Sequence, residues 1–302
     1  MWASGYRRAP NEVARKKLAT WRVPFTLIQL MNPTQIEKAA HFRALHQREG
    51  VLLIPNPWDA GSARMLEQLG FEALATSSAA SAGTLGRPDG KISRDEALAH
   101  VRSIVQATNL AVSADLENGF FAEPASVAET IRLAAAAGLA GGSIEDSTGD
   151  PNKPQYDLNH AVERIAAAVE VVKGLSISFT LTARAENFIR GNPNLDDVIK
   201  RLLDYEQAGA EVLFAPALPD LGAVREVCAA VRKPVNFMVG VKGKSFTVAE
   251  LAAAGVKRIS FASSLYRAAM TGLLNAAREI KGEGTFDYLQ GTLTTPELNK
   301  FF

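Results

Sequence analysis

The chain has 302 residues, 47% hydrophobic and 22% charged, the balance of a globular protein with a sizeable core. Its 33 basic and 32 acidic residues leave a net charge of +1, which argues against nucleic acid or an anionic membrane surface as a bulk partner. The single cysteine, Cys228, excludes an intramolecular disulfide framework and fits a reducing, cytoplasmic setting.

Residues 1–30 hold six basic side chains (Arg7, Arg8, Arg15, Lys16, Lys17, Arg22) against one acidic, Glu12. No long apolar run follows them, as a signal peptide requires, and no window reaches transmembrane length. The segment reads as a transit-like presequence or as an extension upstream of the true start. The second reading is preferred, because Met31-Asn32-Pro33 leads into Thr34-Gln35-Ile36-Glu37, a capping box opening a helix over about 34–48.

Short apolar runs then predict strands at 51–56, 73–78, 111–117, 141–146, 178–185, 211–216, 235–240 and 258–263. Helical periodicity fills the stretches near 59–69, 94–107, 126–137, 159–173, 195–208, 221–232, 247–254 and 265–281. Gly70, Gly138, Gly174, Gly209 and Gly255 fall where helices end, and Asn192-Pro193-Asn194 precedes a helix start. Eight alternating units within about 240 residues predict a (β/α)8 TIM barrel of α/β class, one catalytic domain over 31–284. The competing arrangement is an open doubly wound sheet, whose ligand would sit at one switch point. The barrel is preferred because Asn56, Ser77, Ser78, Asp115, Glu117, Glu145, Arg184 and Glu186 all fall at strand C-terminal ends, which a barrel gathers on one face. The tail 285–302 keeps Phe286, Tyr288, Leu289, Leu298, Phe301 and Phe302 and is expected to dock on the barrel or on a neighbouring subunit.

Side chains alternate along a strand, so Ser113, Asp115 and Glu117 would share one face, as would Ser143 and Glu145. Three converging carboxylates repel one another unless a cation intervenes, and an oxygen-only donor set without His or Cys selects Mg2+ or Mn2+ over Zn2+. Pairing with surface Arg or Lys is the structural alternative. The small-residue turn from Ala75 to Ser81 would let a ligand approach backbone N–H groups. Arg184 shares the parity of Thr182 and Glu186 and suits bidentate capture of a carboxylate, or neutralisation of Glu186 or Glu145. His41, His46, His100 and His160 all read as helical, away from the strand ends, which argues against a Ser-His-Asp triad. Gly243-Lys244-Ser245 lacks the first glycine of a phosphate loop, Met238 standing in its place, and reads as a basic turn. Cys228 reads as helix packing.

The ordered set Asn56-Pro57-Trp58-Asp59-Ala60-Gly61-Ser62-Ala63-Arg64, Ser77-Ser78, Leu85-Gly86-Arg87-Pro88-Asp89, Asp115-Leu116-Glu117-Asn118-Gly119, Ile144-Glu145-Asp146 and Ala183-Arg184-Ala185-Glu186 resembles the isocitrate lyase and phosphoenolpyruvate mutase superfamily from about residue 40 to 280. The resemblance implies a Mg2+-dependent enzyme that breaks or forms a bond to the carbon beside a 2-oxo acid through a pyruvate-like enolate. It implies that Asp115 contacts the metal directly, with Glu117 and Glu145 acting mainly through water. Ser77 and the backbone of Ser78 and Ala79 would hold the substrate, with Asn56 beside them. Asp89 matches an acid beside the site, and Arg184 the substrate-binding arginine.

Superfamily lyases acting on isocitrate or 2-methylisocitrate carry Lys-Cys-Gly-His in the mobile loop after strand four. Here that loop reads Ser147-Thr148-Gly149-Asp150-Pro151-Asn152-Lys153-Pro154-Gln155-Tyr156, without Cys or His. The expectation is therefore a Mg2+-dependent C–C lyase acting on a small oxaloacetate-like 2-oxo or 2-hydroxy dicarboxylate, with Lys153 and Tyr156 as the loop's catalytic candidates. Phosphonomutase or phosphonopyruvate hydrolase chemistry, drawing on Thr148, Asn152 and Lys153, is the enzymatic alternative. A 2-oxo-acid binding protein without catalysis is the other. The resemblance also implies a homotetramer, or a dimer, with the eighth helix (about 265–281) exchanged between subunits.

Overall fold

The computed structural model describes residues 33–302, and the expected basic extension, with Met31 and Asn32, lies outside the described residues. Eight parallel strands follow one another around a nearly closed barrel: β1 Leu52–Ile54, β2 Ala73–Ala75, β3 Ala111–Asp115, β4 Gly141–Glu145, β5 Thr180–Arg184, β6 Val212–Phe214, β7 Val235–Met238 and β8 Arg258–Ser260. The helices are α1 Gln35–Leu45, α2 Ala60–Gln68, α3 Ser78–Thr84, α4 Arg94–Ala107, α5 Pro124–Ala136, α6 Leu158–Gly174, α7 Leu195–Ala208, α8 Leu221–Ala230, α9 Val248–Ala253, α10 Ser264–Gly282 and the short α11 Thr295–Leu298. No helix among the described residues is long and apolar enough to cross a membrane.

The local signals work as chemistry requires. Thr34 and Glu37 form the expected reciprocal cap of α1, Asn194 caps α7, and Gly70, Gly138, Gly209 and Gly255 all take positive φ just past a helix. Gly174 differs, being the last residue of α6 without that conformation.

Every strand is shorter than its apolar run, because the chain turns as soon as the polar rim residues begin. The largest consequence is at Glu117. β3 stops at Asp115, and Glu117 has φ 50°, so a turn rather than strand alternation orients its side chain. Likewise Ser77 and Ser78 end no strand. They open α3, a helix that the apolar pattern does not announce because its sequence, Ser78-Ala79-Ala80-Ser81-Ala82-Gly83-Thr84, has no hydrophobic stripe.

Ladder hydrogen bonds link every neighbouring pair except β1 and β2. That seam is closed by Ala75 N–H donating to Pro55 O at 3.0 Å and by Asn56, whose Nδ2 donates to Thr76 O at 2.8 Å while its Oδ1 accepts from Phe261 N at 2.8 Å. Asn56 thus bridges strand ends that the sheet does not join. Most buried apolar side chains lie between the sheet and the helices α2 to α9, and a second cluster around Phe42 of α1 fills the lower barrel.

At that lower end Arg258 sits inside the barrel without a carboxylate partner among the described residues. Its Nε donates to Asn236 Oδ1 at 2.8 Å, and its Nη1 faces His46 Nε2 at 3.4 Å. His46 Nδ1 lies 2.7 Å from Phe42 O, which can only accept, so Nδ1 carries the proton and Nε2 accepts from Arg258.

Helix α10 contrasts with the others. None of its residues is buried, and Leu273 is 63% exposed. Its first turn is attached through Tyr266, whose ring meets Trp58 at 5.8 Å and lies so near Gly83 that a Cβ there would approach Tyr266 Oη to 2.6 Å. The tail returns to α2, where Arg64 Nη1 donates to Phe302 O at 3.2 Å, while Phe286, Leu289 and Leu293 stay exposed.

Burial, then the charge of Arg258, pushes the His46 pKa down to about 3. In the unfolded chain the ring takes a proton near pH 6.5 (about the model-peptide value), but in the folded protein it stays neutral. Its contribution is complete above that pH and is lost as pH falls toward 3, with a slope of about 1.4 kcal/mol per pH unit. Urea unfolding of wild type and His46→Gln between pH 7 and 4.5 should show a shallower loss of stability in the variant, by roughly that slope. Equal slopes would contradict the neutral, buried assignment.

Candidate active site

The register sets the geometry. Asp115 pairs with Ser143, Glu145 with Arg184, and Arg184 with Phe214, so the last residues of β4, β5 and β6 stand side by side, and Asp115 ends β3 level with Ser143, two residues short of Glu145. The Arg184 side chain, only 14% exposed, is enclosed by acids: Nη1 is 3.3 Å from Glu145 Oε2 and 3.8 Å from Asp115 Oδ1, and Nε donates to Glu186 Oε1. The Phe214 ring packs 4.9 Å from the guanidinium carbon. Burial opposes its charge, but Glu186, Glu145 and Asp115 outweigh that and raise its pKa.

Asp115 is held by backbone donors. Ser78 N donates to Oδ2 at 3.1 Å and Glu117 N to Oδ1 at 3.2 Å. The Ser78 N–H is therefore engaged by Asp115, whereas Ala79, at the second position of α3, is among the turn's unpaired N–H groups. Glu117 Oε1 is buried with no hydrogen-bond partner among the described residues. Burial, then Asp115 and Asp89, pushes the Glu117 pKa up to about 7, and burial, then Glu186, pushes Glu145 up to about 8.

These observations decide how a divalent cation fits. Among the described residues no three His, Cys, Asp or Glu side chains stand together as a direct ligand set, so strand alternation does not build the three-carboxylate cup it suggested. Yet a carboxylate oxygen buried without a hydrogen-bond partner among the described residues, and the closeness of Asp115, Glu117 and Glu145, give an oxygen-rich donor set that fits a hard cation.

The site opens into a cavity of about 410 Å³, lined among others by Ser78, Asp89, Lys91, Glu117, Thr148 and Arg190. A smaller cavity of about 50 Å³ lies within the barrel end, with Asn56, Ser77, Ser113, Asp115, Ser143 and Arg184 on its walls. The structure thus brings together Ser77, Ser78, Asp89, Asp115, Glu117, Glu145 and Arg184. Asn56 reaches the inner cavity, but both ends of its amide are bound to backbone.

Lys153 and Tyr156 are elsewhere. Lys153 Nζ pairs with Asp157 at 2.8 Å, and the Tyr156 ring packs against the Arg164 guanidinium at 4.2 Å, while its N–H donates to Asp146 O at 2.9 Å. Of the loop's polar residues, Ser147 and Thr148 line the large cavity. At the Gly243-Lys244-Ser245 turn, Lys244 Nζ donates to Ala217 O at 3.2 Å.

Sequence reasoning missed Arg190 and a buried hub at Asp146. Arg190 Nη2 is 3.1 Å from Glu145 Oε1 and its Nε 3.3 Å from Glu186 Oε2. The Glu186-to-Arg190 spacing of four did not mark this contact in the sequence, because the two residues lie in a turn rather than on a helix. Asp146 accepts from Glu186 N at 2.9 Å, Arg201 Nη1 at 2.9 Å and Tyr205 Oη at 2.8 Å, so α7 fixes the ends of both β4 and β5. Arg201 and Tyr205, four apart on α7, recorded this hub in the sequence.

The family model described as phosphoenolpyruvate phosphomutase matches residues 42–281. The 2-methylisocitrate lyase of Escherichia coli K12 is 31% identical over 265 residues, covering 84% of this chain and 88% of its own. A Burkholderia cenocepacia J2315 protein provisionally described as a lyase/mutase superposes with a TM-score of 0.87 at 51% identity, covering 89% of this chain and 97% of its own. A second protein of that organism, provisionally described as a phosphonomutase, gives 0.76 at 35% identity over 81% and 99%.

Proposed function

Because the chain belongs to the phosphoenolpyruvate mutase and isocitrate lyase superfamily, whose members are lyases and mutases, we propose that it is a Mg2+- or Mn2+-dependent lyase. It cleaves a C–C bond of a small 2-oxo or 2-hydroxy dicarboxylate and releases a 2-oxo acid through an enolate. The observation that carries this reading is Arg184 beside a carboxylate group left with one buried, unpaired oxygen on Glu117.

Asp115 holds the cation, with Glu117 and Glu145 as outer partners. When bound, the cation stabilises negative charge that develops as the bond breaks. Arg184 faces the same point from β5 and orients the substrate carboxylate, while Ser77 and the first turn of α3 bound the enolate side. Ser147 and Thr148 are the polar loop side chains that line the cavity, and Asp89 stands beside Glu117. The loop lacks the Lys-Cys-Gly-His signature, which points away from isocitrate and 2-methylisocitrate as substrates. P–C chemistry is the second reading, favoured by Thr148 at the cavity wall.

We also propose that a neighbouring copy covers α10 and that the protein is a homotetramer, because an amphipathic helix of nineteen residues with no buried position leaves its apolar face in water. Sedimentation should give a multiple of the 32.3 kDa chain, and a monomer would contradict this.

Incubation of the Mg2+-loaded protein with C4 and C5 2-oxo and 2-hydroxy dicarboxylates should release a 2-oxo acid detectable with a coupled dehydrogenase. Arg184→Gln should lower that turnover roughly 10²- to 10³-fold. Phosphate release from phosphonopyruvate without C–C cleavage would favour the second reading, and turnover unchanged by Arg184→Gln would contradict the assignment.

A further inference from the structure

Arg184, set among three carboxylates through Nη1 and Nε, is the cation already assigned to the inner carboxylate of the substrate. The cavity above it is about 410 Å³, several times the size of a three-carbon oxo acid, and two further cations line it. Lys91, on the loop after α3, joins no ion pair among the described residues. Arg190 is held at one edge only: Nη2 on Glu145 and Nε beside Glu186, with Nη1 making no hydrogen bond among the described residues. Its side chain is 37% exposed, against 14% for Arg184.

The turn that presents Arg190 is held by hydrogen bonds of the chain itself. Arg190 N donates to Glu186 O at 2.9 Å, Asn192 N closes back on Asn187 O at 2.9 Å, and Gly191 takes φ 84° to reverse the chain. Asn187 donates to Asp197 Oδ2 at 2.7 Å on α7 and accepts from Gln155 Nε2 at 3.1 Å on the β4–α6 loop. A guanidinium fixed at its back, with one terminal nitrogen open to a polar cavity, is preorganised for a second anion.

We propose that Arg190 is a specificity-determining residue that binds the distal carboxylate of the substrate, with Lys91 adding charge on the same cavity wall. The inner carboxylate and oxo group belong to Arg184 and the Ser77–Ala79 turn, so the preferred substrate class is a dicarboxylate rather than a monocarboxylic oxo acid. This rests on the functional reading above. The plainer role, a counter-ion for Glu145 and Glu186, predicts no dependence on the ligand's far end.

Calorimetric titration with Mg2+ separates the two. Oxalate fills the inner position alone, and difluorooxaloacetate adds a distal carboxylate. In Arg190→Gln the ratio of affinities, difluorooxaloacetate over oxalate, should fall about tenfold or more relative to wild type, and Arg190→Lys, which keeps the charge but loses the fork, should fall between. An unchanged ratio in both variants, whether both ligands weaken together or neither does, overturns the assignment of Arg190 while leaving the lyase reading intact. Wild-type protein that binds neither probe overturns the reading beneath it as well.

Discussion

The site is governed by carboxylates confined where water is scarce. Asp115 and Glu145 end β3 and β4, Glu117 and Glu186 lie in the turns beyond β3 and β5, and inside a protein the repulsion among these acids is far stronger than in water. Arg184 and Arg190 are the cations set directly among them, and burial together with the neighbouring carboxylates makes Glu117 and Glu145 hold their protons well above the usual carboxylate range. Under the proposed function a bound cation would relieve this crowding and favour an anionic ligand beside it.

Keeping such a cluster in place requires a stiff surround. Asp146 gathers Glu186 N, Arg201 and Tyr205, and the Tyr156 N–H binds its backbone carbonyl. The same residue thus anchors the strand end carrying Glu145, the turn carrying Arg190 and the return of the β4–α6 loop. On the other side Asn56 sutures the β1–β2 seam beneath Ser77. Ser147, Thr148 and Gly149, between these anchors, are the part of the loop left to meet a ligand.

The barrel was legible because it rests on long-range repetition: eight apolar runs alternating with helical periodicity leave few topologies, and the rim polar residues decide between them. Asp115, Glu145 and Arg184 were legible for the same reason, since each is the last residue of its strand. Glu117 came out beside them for a different reason from the one alternation gives, because its left-handed turn is a local backbone choice that side-chain pattern does not encode. Lys153 and Tyr156 show the limit of reasoning from residue type. Both are capable acid–base groups on the right loop, yet one finds Asp157 and the other packs against Arg164. Arg190 escaped because a cation four residues beyond a glutamate usually lies on a solvated helix face, and only the fold turns it toward the cavity.

Under the proposed function these carboxylates hold a divalent cation which, with Arg184, captures a 2-oxo acid in its enolate-like form. Calorimetric titration with oxalate, with and without Mg2+, on wild type and Asp115→Ala tests this most directly. Binding should require Mg2+ and disappear in the variant. Oxalate binding of equal strength without Mg2+, or undiminished in Asp115→Ala, would contradict it.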